Sequence, residues 1–288
     1  MALISKKRKY AASDFNYQNL PQTRKEQFFD LLKHRYSLLI KIGLALLLFS
    51  IPLILTIFCD QFFKLGFDQM LKAGELSEED YANTMLLLTI ILNTVYIVDF
   101  MVFSIGIAGI SRVLRQLIYS EPVYFWHDFK LGVKSNIKHF LLNSFILGLI
   151  NFICSVVYVF YGILSLFGVL VTLLTVLIAL PFFVANLAYT PVYDVKIGAS
   201  FKNTFLVCLS MKFKILLCTL IVMFPSLILL LPIAGLSTII FSVILVFLYP
   251  IILLGLNLYM YNVFDSIINY VYIFVGNFLL FEILRKNW

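Results

Sequence analysis

Two stretches of this chain, residues 140–193 and 215–264, contain no Asp, Glu, Lys or Arg. A helix rises about 1.5 Å per residue and the hydrocarbon core of a bilayer is about 30 Å thick, so about 20 apolar residues make one crossing. Each stretch is more than twice that length, and each therefore predicts a pair of spans. Composition agrees, since 62% of residues are hydrophobic and 13% charged, against roughly 45–50% and 25% in soluble domains. The expected fold class is all-α: a polytopic helical membrane protein with six transmembrane helices.

In chain order, the first span is expected at about 38–59, with Lys41 near its inner end, where a long side chain can reach the headgroups, and Pro52 as a bend. The second, about 82–110, carries Asp99 near its middle and Ser104, Gly106, Ala108, Gly109 and Ser111 toward its inner end, small residues that let another helix approach closely. A turn near Tyr161 to Gly168 separates spans of about 139–161 and 166–189, the latter bent at Pro181. The cluster of Pro232, Ala234 and Gly235 separates 214–233 from 237–261, which contain Pro225 and Pro250.

Charge sets the orientation. Residues 1–36 carry Lys6, Lys7, Arg8, Lys9, Arg24, Lys25, Lys33 and Arg35. Residues 60–83 hold Asp60, Asp68, Glu75, Glu78, Glu79 and Asp80 against Lys64 and Lys72. Arg112, Arg115, Lys130, Lys134 and Lys138 dominate the next connection, and Lys196, Lys202, Lys212 and Lys214 the one after. Lys and Arg accumulate on the cytoplasmic side, so both termini are expected inside and the 60–83 loop outside. The chain then divides into a basic cytoplasmic segment (1–36), a six-span domain (37–263) and an interfacial tail (264–288), whose apolar 271–281 is short for a crossing. Orientation also accounts for the net charge of +7, so no nucleic-acid partner is expected. The first apolar run lacks a small-residue cleavage site and is expected to remain as a span.

Between the second and third spans, Trp126, Phe129, Val133, Ile137 and Phe140 fall on one helical stripe, with Lys130, Lys134 and Lys138 along its edge. Such a stripe suits an amphipathic cytoplasmic helix lying on anionic lipid, or one packed on the protein's own cytoplasmic ends.

No reaction motif emerges. His34, His127 and His139 are the three histidines; HExxH, a phosphate-binding P-loop and a Gly-rich dinucleotide turn are absent. Cys59, Cys154, Cys208 and Cys218 form no CxxC. No enzyme activity, metal or cofactor is expected. The polar residues within spans are Asp99, Asn93, Asn143, Asn151, Asn186 and Asn257. Intramembrane asparagines serve more often as interhelical hydrogen-bonding groups than as ligands, but Asn143, Asn186 and Asn257 all fall in the inner half, in position to line a cytoplasm-facing cavity. Asp99 lies about 17 Å along the helix from the inner end of its span. It suits either a neutral acid bonded to a neighbouring helix or a group that couples to a proton or cation.

The segment SIGIAGISRVLRQL, then Glu121 and WHDFKLGVKSNIKHF, resembles the central motif of the YesL-like family of bacterial membrane proteins of unknown function. Its small TIG-type turn falls on Ser104, Ile105 and Gly106, its DF pair on Asp128 and Phe129, and its Lys and Asn on Lys134 and Asn136. NVFDSIIN resembles the family's closing FDxxIN through Phe264, Asp265, Ile268 and Asn269. The proline usual before the TIG turn is replaced by Met101, and the tail after Asn269 is apolar where the family suggests a polar ending. The resemblance implies a Gram-positive-type plasma membrane protein whose relatives are often encoded beside carbohydrate-uptake systems. The function expected first is a non-enzymatic accessory or scaffold for another membrane protein such as a transporter component, on the grounds of the amphipathic connection, the small-residue face and the missing reaction motif; the alternative is a small-solute permease with Asp99 in the membrane path. A faint likeness of HDFKLGVKSNIKHF to ASFKNTFLVCLSMKFK suggests a duplicated unit, as in some transporters.

Overall fold

A computed structural model describes residues 23–193, 195–231 and 235–264. Those residues form helices and turns, with no strand among them. The helices are α1 (Arg24–His34), α2 (Tyr36–Lys72), α3 (Glu78–Ile118), α4 (Phe125–Tyr161), α5 (Leu166–Leu174), α6 (Leu180–Tyr189), α7 (Ile197–Ser210), α8 (Lys212–Met223), α9 (Leu236–Phe247) and α10 (Tyr249–Phe264). A π-helical turn, Thr175–Ala179, joins α5 to α6, and a 3₁₀ segment, Phe224–Leu230, extends α8. Five of the resulting rods are long and apolar enough to cross a membrane. Taken as one span, the pair α9 and α10, bent by 49°, makes six.

The irregularities sit where the sequence withholds backbone donors. Pro181 follows the π turn, Pro225 opens the 3₁₀ segment, and Pro250 lies just past the bend between α9 and α10. The hairpin between α4 and α5 closes on Gly162 at φ +78°, a left-handed conformation natural to glycine, and Ser165 Oγ accepts the Gly168 N–H at 3.0 Å.

Helices run further than the charge pattern suggests. The acidic stretch 60–83 is not a loop: α2 continues to Lys72, α3 begins at Glu78, and only five residues, 73–77, connect them. Nothing between Cys59 and Lys72 breaks a helix, Asp60 and Lys64 pair across one turn at 2.8 Å, and Ser77 caps α3 by accepting the Asp80 N–H. In the same way the long basic connection before span three shrinks to residues 119–124, and 197–210 is the helix α7. The stretch around Ser104, Ile105 and Gly106 is not a turn but the interior of α3.

The small-residue face of α3 is filled by the chain's own helices. A Cβ on Gly109 would lie 2.5 Å from the Phe129 ring, one on Gly106 2.7 Å from Phe49, and one on Gly132 of α4 2.8 Å from the Gly109 carbonyl oxygen. Asp128 ties this junction together. Its carboxylate accepts the Tyr124 N–H at 2.6 Å, closing the start of α4, and the Gln116 amide of α3 at 3.1 Å. Across the same end, α1 is fastened where the Gln27 amide donates to the Ile118 carbonyl. At the other major crossing, α2 meets α9 at Gly43, where a Cβ would sit 1.9 Å from the Val246 carbonyl oxygen. That carbonyl is the one Pro250 leaves without its i+4 donor. The break in the last span and the glycine of α2 therefore fit each other.

Candidate functional site: a cavity between the spans

All six candidate spans contribute to one central cavity of about 680 Å³, a size typical of small-molecule sites. Its lining follows helical stripes. Leu46, Ser50, Leu53, Ile57 and Asp60 recur every three or four residues on α2, as do Thr89, Asn93, Tyr96 and Phe100 on α3 and Ser144, Leu147, Asn151, Ser155 and Tyr158 on α4. Opposite stand Phe183 of α6, Val222 of α8, Phe241 of α9 and Tyr249 of α10. Along α4 the lining runs from Asn143 to Val159, about 24 Å at 1.5 Å per residue. One end is marked by Asp60 and Lys64, the end of the bundle opposite Arg112 and Arg115.

Most polar groups of the wall bond to one another. Asn93 Oδ1 accepts from Asn151 Nδ2 at 2.8 Å and from Ser155 Oγ at 3.0 Å, while its Nδ2 donates to the Thr89 carbonyl. This joins α3 to α4. Asn143 Nδ2 donates to Asn186 Oδ1 at 2.8 Å, joining α4 to α6; Asn186 also accepts from the Thr190 hydroxyl and donates to Thr204 Oγ1 at 3.2 Å. Asn143 lines the cavity, is 2% exposed, and keeps its Oδ1 without a hydrogen-bond partner. An unpaired buried acceptor costs about 1–3 kcal/mol. The cavity is open to the surroundings along part of its wall, so lipid or solvent has access to it.

The polar residues singled out in the sequence are thus partly gathered and partly separated. Asn143 and Asn186 are bonded, but Asn257 stands apart and donates to Leu253 of its own helix. The cavity lining runs from the level of Leu46, Ile107 and Asn143 to Asp60 and Lys64 at its other end. Asp99 is 4% exposed but is not on the cavity wall; its carboxyl lies beside the Thr56 side chain of α2, and Oδ2 has no hydrogen-bond partner. Its isostere should satisfy the same place, so Asp99→Asn is expected to keep thermal stability within about 1 kcal/mol of the unaltered protein. A fall well beyond that in a detergent melt shows the carboxyl group itself to be required.

Of the motif residues, Ser104 lines the cavity, whereas Ile105 does not and Gly106 packs on Phe49. Asp128 and Phe129 are structural; Phe129 stacks on Phe49 with centroids 5.7 Å apart. The amphipathic stripe divides. Trp126, Lys130, Lys134 and Lys138 face outward, Asn136 is half-buried, and Phe129 and Phe140 turn into the core, all on a helix continuous with span three. Phe264 is buried, and Asp265, Ile268 and Asn269 lie outside the described residues. Sequence reasoning missed the aromatic wall, Tyr96, Tyr158, Phe183 and Phe241. The recurrence of polar residues at 89, 93 and 96 and at 144, 151, 155 and 158 was the available signal. No family model, curated protein or solved structure matches the chain.

Proposed function

We propose that the chain is a six-span plasma-membrane protein, both termini cytoplasmic, that binds a small molecule in its central cavity as a permease does rather than catalysing a reaction. The observation that carries this reading is the cavity to which every span contributes. A second supports it: the break between α9 and α10 lies beside the cavity, with Phe241 and Leu245 on one side and Tyr249 and Leu253 on the other. Discontinuous helices next to a central site are a recurring transporter device.

The accessory reading expected first from the sequence loses one support, since the small-residue face of α3 is occupied internally. It keeps another in the outward Trp126 and Lys130, Lys134 and Lys138. Purification from native membranes in mild detergent separates the two. The permease reading expects the chain alone; a stoichiometric membrane partner supports the accessory role.

Orientation has its own test. In a cysteine-free background, Glu78→Cys should be labelled by an impermeant maleimide on intact cells and Ser135→Cys only after lysis, both sites being exposed. The opposite pattern inverts the topology.

A further inference from the structure

We infer that the occupant of the cavity is a single-chain amphiphile, its hydrocarbon tail between the spans and a zwitterionic head at the Asp60 end. This rests on the cavity being a ligand site, and goes beyond it in naming the ligand's chemistry. Charge is confined to one place. Among the described residues, Asp60 and Lys64 are the charged groups of the lining, one turn apart on α2 and paired at 2.8 Å. A purely anionic or cationic head there meets one like charge, whereas a head bearing both signs meets an opposite charge on each.

Beyond that pair the wall on the side of α6, α8, α9 and α10 is mainly apolar, through residues such as Phe183, Val184, Val222, Phe241 and Leu245, with Ser226 and the Tyr249 hydroxyl as its polar groups. The polar side of α3 and α4 is largely self-satisfied, with Asn93, Asn151 and Ser155 bonded to one another and the Tyr158 hydroxyl paired with Thr172 Oγ1 at 2.9 Å, which leaves Asn143 Oδ1 as an unpaired acceptor. Water against such walls gains few hydrogen bonds. The shape argues the same way. A lining about 24 Å long at helical rise exceeds the roughly 15 Å of hydrocarbon in one leaflet, so it accepts a whole extended tail. The bilayer supplies that chemistry at high concentration.

The test uses the full chain purified in a steroid-based detergent that has no alkyl tail, followed by thermal unfolding. Hexadecyl lysophosphatidylcholine is expected to raise the melting temperature saturably at one molecule per chain. Glycerophosphocholine, the same head without a tail, is expected to leave it unchanged, and the anionic lysophosphatidylglycerol to bind at least tenfold more weakly. Leu147→Trp, which places an indole in the cavity, should weaken lysophosphatidylcholine at least tenfold; should that variant not fold, Ser144→Leu serves the same purpose. A shift that persists undiminished in the folded cavity variant places the lipid on the outer surface and overturns the proposal. A shift with glycerophosphocholine but not with the lysolipid overturns the ligand class and leaves the cavity reading standing. Equal affinity for the anionic lysolipid removes the zwitterionic head. If no lysolipid binds and the chain co-purifies with a stoichiometric partner, both readings fall.

Discussion

Replacing Gly43 with leucine is expected to prevent the bundle from assembling. A side chain at this position starts 1.9 Å from the Val246 carbonyl oxygen and 2.7 Å from its carbon, so the obstacle is backbone that cannot rotate away. Overpacking of a core ordinarily costs about 1–3 kcal/mol. Here α2 must separate from α9 at the break beside Pro250, and a loss of about 3 kcal/mol or more is expected. Gly66→Ala provides the contrast: it lies within the same helix with nothing within 4 Å of a new Cβ, and replacing a mid-helix glycine contributes about 0.5–1 kcal/mol. Size-exclusion profiles and melting curves in detergent should show Gly43→Leu aggregated or melting far lower, and Gly66→Ala at or above the unaltered chain. Equal melting of both variants means that α2 and α9 do not meet at Gly43.

The second large effect is expected at Asn186. It is fully buried and makes three side-chain hydrogen bonds, to Asn143, Thr190 and Thr204. Interhelical hydrogen bonds within membranes average only about 0.6 kcal/mol. Asn186→Leu, however, also strands the Asn143 amide, which has no other partner, and a buried unpaired polar group costs about 1–3 kcal/mol. The threonine hydroxyls can turn to carbonyls in their own helices. A net loss of about 2–4 kcal/mol follows, dominated by Asn143. The double variant Asn143→Leu with Asn186→Leu removes both ends of the bond. It should be less destabilised than the sum of the single variants by about 1 kcal/mol or more. Strict additivity in equilibrium unfolding contradicts the contact.

Much of this architecture is legible in the chain because lipid leaves few alternatives. The charge-free runs place four spans, and the turn expected near 161–168 is found at Gly162 to Ser165. Charged residues misled about helix ends. They mark where the chain leaves hydrocarbon, but helix continues wherever no residue stops it, and Lys64 and Asp68 sit in mid-helix on α2.

The site was harder to read. Position along a helix follows from counting, and Asp99 lies near the middle of α3. Which way a side chain turns depends on neighbours: Tyr96 and Phe100 reach the cavity while Asp99, between them in sequence, meets Thr56 of α2 instead. The Asn143 bond to Asn186 joins residues 43 positions apart, and nothing in either local sequence announces the other. The match of Gly43 to the carbonyl released by Pro250 is likewise a property of two helices together.

The central claim, that the cavity lined by all six spans is a ligand site, is tested most directly by native mass spectrometry of the protein released intact from detergent. The unaltered chain is expected to carry one bound molecule that survives mild activation, and Leu147→Trp, folded by its melting curve, to fly at the bare mass of its polypeptide. Bare mass in both proteins, or the same adduct retained by Leu147→Trp, contradicts a ligand held between the spans.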